Sequence, residues 1–174
     1  MKRVLTALVF VAALVVGGQA FAQTPNQSGF GVGIGSSNMA SGVSLKGAGG
    51  ATAYQIVVGA WRGGWVSGGR IGPYDDYRYY YEGLAASFDF LLEQPNIAQT
   101  EPFNLGWNAG LGGGIGIAGN AFFGVGFNGV LGLEFNFNPV PIDLTLEYRP
   151  GIYIFENGFG IDFFDLGAHL RFWF

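Results

Sequence analysis

The sequence predicts an all-β chain: a transmembrane antiparallel up-and-down β-barrel of about eight strands. Three observations predict it. Apolar residues alternate with small or polar ones at a period of two along most of the chain beyond residue 28. That alternation runs to the final residue, the aromatic Phe174. A short apolar leader opens the chain, and no later apolar run is long enough for a membrane helix.

The leader has the parts of a signal peptide. Lys2 and Arg3 are the positive region, Val4 to Val16 is apolar apart from Thr6, and Ala20-Phe21-Ala22 is an A-x-A site. Cleavage is expected between Ala22 and Gln23. This divides the chain into a signal peptide over 1–22 and a barrel domain over 23–174. The apolar run is shorter than the roughly 18–20 residues of a spanning helix. With no cysteine in the chain, neither a lipid anchor nor a disulfide is expected.

The strands follow in order. Phe30–Gly35 sets Phe30, Val32 and Ile34 against glycines, and Gly42–Gly47 sets Val43 and Leu45 against Ser44 and Lys46. Ala51–Trp61 places Tyr54, Ile56 and Val58 opposite Gln55, Val57 and Gly59. Tyr77–Leu92 places Leu84, Ala86, Phe88 and Phe90 opposite Gly83, Ala85, Ser87 and Asp89. In Phe103–Ala118 the odd positions are apolar and the even ones are mostly Gly and Asn; Ala121–Phe137 repeats the pattern. Pro141–Phe155 alternates Ile142, Leu144, Leu146 and Tyr148 with Asp143, Thr145, Glu147 and Arg149. The last strand, about Phe159–Phe174, is expected to keep its wet positions odd throughout.

Composition decides which face is outside. A water-soluble barrel hides its apolar face and shows solvent a charged one. Here charged residues are only 11% of the chain, against roughly 25% in soluble domains. The chain is glycine-rich, with 32 Gly, and carries 17 Phe; eight strands cannot enclose that many bulky side chains. The bulky face is therefore assigned to membrane lipid and the small or charged face to the lumen. Lys and Arg number 8 and Asp and Glu 12; without Lys2 and Arg3 the cations fall to 6 and the net charge is −6. That excludes nucleic acid as a partner, which requires a basic surface.

Side-chain parity sets the register, because hairpin partners face the same side. Wet positions are odd in both of the last two strands, so their loop needs an odd length. Glu156-Asn157-Gly158 fits, with Phe155 opposite Phe159. Arg149 then faces Asp165, Asp143 faces Arg171, Thr145 faces His169 and Glu147 faces Gly167. At the preceding turn, Phe137 opposite Ile142 puts Asn136 against Asp143 and Glu134 against Thr145. The expected lumen charge network is Lys46, Glu134, Asp143, Glu147, Arg149, Asp165, His169 and Arg171, which need partners where buried.

An even strand count places both termini on the periplasmic side. The outward loops are then 36–41, 62–76, around Gly119-Asn120, and 156–158. The inward turns are 48–50, 93–102 and 138–140. The 62–76 loop, with Trp65, Arg70 and Tyr74, is the candidate contact for an extracellular partner. Trp61, Trp65, Tyr148 and Tyr79–Tyr81 are candidate membrane-interface aromatics.

Chemical motifs are sparse. Gly114-Ile-Gly116-Ile-Ala-Gly119 and Gly124-Val-Gly126-Phe-Asn-Gly129 match a dinucleotide-binding spacing, but both lie in alternating strands with no helix to follow, so no cofactor is expected. One His and no Cys give no metal site. No catalytic residue is assigned and no enzyme is expected: His169 faces inward, opposite Thr145.

On its leader, dyad alternation and terminal aromatic strand, the chain resembles the small eight-stranded outer-membrane barrels of the OmpA transmembrane-domain and OmpX type. The resemblance implies residence in the bacterial outer membrane, with lipid as the surrounding partner. It also implies that the barrel-assembly machinery reads the last strand through Leu166, Ala168, Leu170, Phe172 and Phe174. No further domain is expected after the barrel, so the peptidoglycan-binding role of the OmpA type is not carried over. The expected function is structural or interaction-based, with a largely plugged lumen. A narrow channel for ions or very small solutes is the alternative, suggested by space left along Gly106–Gly116 and Gly124–Gly132. A lipid-modifying enzyme is a more distant one.

Overall fold

The structure, a computed structural model, describes residues 28–37, 39–61, 67–68, 83–118, 122–155 and 158–174. The expected signal peptide with its cleavage residues Ala20 and Ala22, the following Gln23, and Trp65, Arg70, Tyr74, Tyr79–Tyr81, Gly119-Asn120 and Glu156-Asn157 lie outside the described residues.

Strands account for almost all of what is described, and no helix occurs among those residues. The segments are β1 Gly29–Ser36, β2 Ala40–Gly49, β3 Thr52–Trp61, β4 Ser67–Gly68, β5 Gly83–Gln99, β6 Phe103–Ala118, β7 Phe122–Phe137, β8 Ile142–Tyr148, β9 Gly151–Phe155, β10 Gly158–Asp162 and β11 Phe164–Trp173. β8 and β9 lie in line along β7, and β10 and β11 together form the last stave. Each stave is antiparallel to its sequence neighbour, and β11 closes on β1, with Gly31 opposite Trp173 and Ser36 opposite Ala168. The result is a closed eight-stranded up-and-down barrel.

Closure reaches the chain end: the Phe174 amide donates to the Phe30 carbonyl at 3.0 Å. Closure removes all but short edges, the standing hazard of an open sheet.

The faces divide as the alternation requires. Tyr54, Ile56, Val58, Leu84, Phe88, Leu111, Ile115, Phe127, Leu131, Leu170 and Phe172 are exposed on the outer wall. Gln55, Asp89, Asn108, Glu134, Asp143 and Arg171 are buried inside. The β7–β8 turn has the expected register, Phe137 opposite Ile142, Asn136 opposite Asp143 and Glu134 opposite Thr145. Between β8 and β11, Asp143 faces Arg171, Thr145 faces His169 and Glu147 faces Gly167, also as expected.

The turn above that hairpin differs. Gly158 pairs with Phe155, and Phe159 with Ile154, so the loop has two residues and Phe155 does not face Phe159. The odd residue that parity demands sits lower, as a bulge at Phe163. Asp162 pairs with Gly151, yet the Arg149 amide donates to the Asp165 carbonyl at 2.8 Å: three steps on one strand meet two on the other. Phe163 and Phe164 are consequently both exposed, and the wet positions of β10 are even, not odd. A bulge absorbs the parity mismatch without forcing a third residue into the tight turn. Pro150 interrupts the neighbouring stave only formally. It lacks an N–H, but its carbonyl accepts from Gly129 N at 2.9 Å and the register with β7 is unchanged across it.

Other boundaries move outward. β5 continues through Gln99, so the expected 93–102 turn is strand for most of its length and the reversal occupies 100–102. Glu93 pairs with Asn108 and Gln94 with Trp107 before the register shifts between Gln94 and Ala98. Pro95 lies inside that irregularity, where a missing N–H costs no ladder bond. β2 extends to Gly49 and the chain turns at Gly50, whose φ of 66° favours glycine. β1 and β2 extend to Ser36 and from Ala40, shortening the loop between them. Within the expected 62–76 loop, Ser67–Gly68 is a short strand that pairs with Phe164 and Asp165 of β11.

Candidate functional site: the barrel interior

Inward positions of seven staves converge on one polar interior. We call the end holding Ser28 and Phe174 the terminal end. Nearest to it, Lys46 from β2 bridges Glu93 on β5, at 2.8 Å, and Glu134 on β7. Asn108 Nδ2 on β6 donates to Glu134 Oε1 at 2.7 Å. On the opposite wall, Arg171 Nε on β11 donates to both oxygens of Asp143 at 3.1 Å. Its Nη1 reaches Gln55 Oε1 at 2.5 Å and its Nη2 reaches Thr145 Oγ1 at 2.7 Å. Trp173 Nε1 donates to Asp143 Oδ2 at 2.9 Å.

Above this level sits Arg149, fully buried at 0% exposure. Its Nη2 donates to Asp89 Oδ1 at 2.5 Å, and its Nη1 donates to Glu147. Gln55 Nε2 donates to Asp89 Oδ2 at 3.1 Å and to Glu147 Oε1 at 3.0 Å, tying the two levels together. Coulomb attraction is strong among such buried groups, but desolvation is costly too. Asp89, Glu134, Asp143, Glu147 and Arg171 each meet both an opposite charge and a neutral hydrogen-bonding group, which offsets the cost of burying them.

His169 lies in the same layer. Its Nε2 is 3.0 Å from Glu147 Oε2 and its Nδ1 is 3.0 Å from Ser44 Oγ. Serine, imidazole and carboxylate in that order are the parts of an acyl-transfer relay. Here Ser44 is 0% exposed, and a Cβ on Gly35 would stand 2.1 Å from His169 Nδ1. The relay is thus pressed against the β1 backbone with its serine sealed from both faces of the wall. Among the described residues no group of three or more His, Asp or Glu side chains is placed to hold a metal ion.

Toward the other end the interior turns apolar. Met39, Ala40, Val57, Trp61 and Ala85 form a buried cluster, with Tyr153 and Phe155 packed against it. Trp61, a candidate interface aromatic from sequence, points inward at 5% exposure and stacks on Phe155 with ring centres 6.5 Å apart. Tyr148 does face outward, and its hydroxyl donates to the Phe163 carbonyl at 2.7 Å, beside the bulge.

The interior glycines explain how these side chains fit. A Cβ on Gly116 would come within 2.4 Å of the Trp61 ring, and one on Gly124 within 2.8 Å. Gly126 faces Met39 Sδ, Gly112 faces Asp89 Oδ1 and Gly132 faces Asn108 in the same way. The space that a glycine-lined lumen implied is therefore occupied by side chains, from the paired neighbour at Gly112 and Gly132 and from more distant elements at Gly116, Gly124 and Gly126. Large residues on one wall fill notches on another, as in other small barrels.

All eight charged or titratable residues expected in the lumen lie there, and the structure extends the set. Arg149 reaches across to Asp89, while Asp165, its neighbour in register, accepts from Tyr153 Oη at 3.2 Å. Asp89, Gln55, Ser44, Glu93 and Asn108 were missed as network members. Inward parity marked Gln55, Ser44, Asp89 and Asn108; Gln55 with Asp89 and Asn108 with Glu134 meet between adjacent strands, whereas Ser44 with His169 and Asp89 with Arg149 meet between non-adjacent ones.

On the outer wall, Leu166, Ala168, Leu170, Phe172 and Phe174 form one outward row, with Leu170, Phe172 and Phe174 exposed. Comparison of the chain with protein-family models, with curated proteins and with solved structures gives no match.

Proposed function

We propose that this chain is an integral protein of the bacterial outer membrane, a closed barrel whose role is structural or interaction-based and whose lumen is sealed. The observation that carries the proposal is inverted polarity. Arg149 and Arg171 are at most 1% exposed, whereas Leu84 is 75% and Leu111 74% exposed. Water around such a surface would oppose folding, and lipid would favour it. Strands of 16 residues, β6 and β7, exceed the roughly 9–11 that cross a bilayer at a tilt. Aromatic contacts near the terminal end, such as Phe103 with Phe135 and Phe172 with Phe174, fit an interfacial girdle.

On this reading membrane lipid is the partner of the outer wall. The outward row ending at Phe174 is the element presented to the assembly machinery, and both termini lie in the periplasm. The test is folding of residues 23–174 into lipid vesicles. A folded barrel migrates differently on a gel before and after boiling and resists added protease. Aggregation in vesicles, together with monomeric folding in plain buffer, would overturn the reading.

A narrow ion path is the second reading, favoured by the continuous polar groups from Lys46 to Ser44. Conductance in a planar bilayer distinguishes the two: the sealed barrel is silent.

A further inference from the structure

We infer that the lumen is closed by two barriers in series, of opposite chemistry, and that removing either one alone leaves the barrel closed. This rests on the membrane-barrel reading and adds the means of sealing.

The first barrier is ionic. Arg171 with Asp143, and Arg149 with Asp89 and Glu147, span the cross-section from β11 and β8 to β3 and β5 through Gln55. A barrier of this kind is made of polar groups. Take away one pair and the remaining carboxylates, amides and hydroxyls attract water into the space.

The second barrier is apolar and lies on the far side of the Arg149 layer from the terminal end. Trp61 is its largest member. Its ring is seated in the notch left by Gly116 and Gly124, while Met39 fills the space at Gly114 and Gly126. Phe155 stacks on the Trp61 ring, and Phe155 in turn stacks on Tyr153 with ring centres 6.2 Å apart. An apolar constriction excludes ions by refusing to wet, whatever the charge of the groups below it. The two mechanisms are independent: water that enters the ionic layer meets a dry layer above it. Conversely, an opened apolar layer leads down to guanidinium–carboxylate bridges that still fill the section.

The glycine placement supports this division. The closest approaches to Trp61 come from two separate strands, β6 and β7, at positions where any other residue would displace the ring. The notch at Gly116 is filled by Trp61, and the one at Gly124 by Trp61 together with Phe155.

The experiment uses the barrel over residues 23–174 in planar bilayers, with four proteins. These are the native chain, Asp143→Ala/Arg149→Ala, Met39→Ala/Trp61→Ala, and the combination of all four substitutions. Heat-modifiable migration is read first for each. If the native chain lacks it, the membrane-barrel reading fails, separately from this inference. If the combination lacks it, Trp61→Ala/Arg149→Ala takes its place. The expected result is silence from the native chain and both double variants, and steady discrete current steps from the combination. Restoring Trp61 alone in the combination should abolish the steps. Current from the Asp143→Ala/Arg149→Ala protein would overturn the inference, because the apolar layer would then be no barrier. Current from the Met39→Ala/Trp61→Ala protein would do so for the ionic layer. A folded but silent combination would also overturn it.

Discussion

Trp61 and Gly116 face each other across the upper lumen so closely that a single methyl group on Gly116 would lie 2.4 Å from the indole. The glycine is there for its missing side chain, since both residues are in extended strands. This is knob-into-notch packing between walls of one barrel.

Gly116→Ala is therefore expected to destabilise the folded barrel by about 1–3 kcal/mol, the usual cost of overpacking a filled interior. Gly47→Ala is the control, because a Cβ there meets nothing within 4 Å. Its effect should stay within about 0.5 kcal/mol. Urea titration of folded protein in vesicles, followed by tryptophan fluorescence, measures both.

Arg149→Ala leaves Asp89 and Glu147 facing each other without the guanidinium that holds them. Removing one partner of a buried ion pair costs about 3–5 kcal/mol. Asp89→Ala/Arg149→Ala should cost less than Arg149→Ala alone, because Glu147 keeps Gln55 and His169. A double variant less stable than the single one would show that Asp89 does not depend on Arg149.

The Phe163 bulge makes an unusual deletion tolerable. Without Phe163, the stave formed by β10 and β11 would pair with β9 and β8 in one continuous register and every side chain would keep its face. Removing Gly167, inside the regular part of β11, would instead shift the residues on one side of it to the wrong face. Deletion of Phe163 should preserve heat-modifiable migration, with a loss of about 1 kcal/mol for the Tyr148 hydrogen bond to its carbonyl. Deletion of Gly167 should abolish it.

Truncation of Phe174 removes the rung that closes β11 on the chain start through Phe30. Folding into vesicles should survive, because Trp173 still pairs with Gly31. On the outer-membrane reading, the amount reaching the membrane in cells should fall sharply, since the outward terminal aromatic is lost. Immunoblotting of membrane fractions measures it, and equal yields would remove the assembly role assigned to this residue.

Much of this barrel was legible before its structure. Alternation is a local property, so the face of Gln55, Asp89, Glu134 or Arg171 follows from counting by twos. Parity also constrained the hairpins, and it predicted the pairing of Asp143 with Arg171 and of Phe137 with Ile142. Parity states only that an odd residue must exist between two strands. Whether it lies in the turn or in a bulge at Phe163 depends on which geometry the surrounding stave accommodates, and Phe is not a residue that announces a bulge.

By itself, then, the sequence determined the fold class, the inside and outside of the staves except over β10, and the cross-strand neighbours between β7 and β8 and between β8 and β11. Tertiary structure alone decided what meets across the lumen: Arg149 with Asp89, Lys46 with Glu134, Ser44 with His169, Trp61 with Gly116. The reason is geometric. Contacts between non-adjacent strands depend on how the sheet tilts and staggers as it closes, and that stagger accumulates over the whole circumference. A two-residue period records which way each side chain points and says nothing of how high on the opposite wall it arrives.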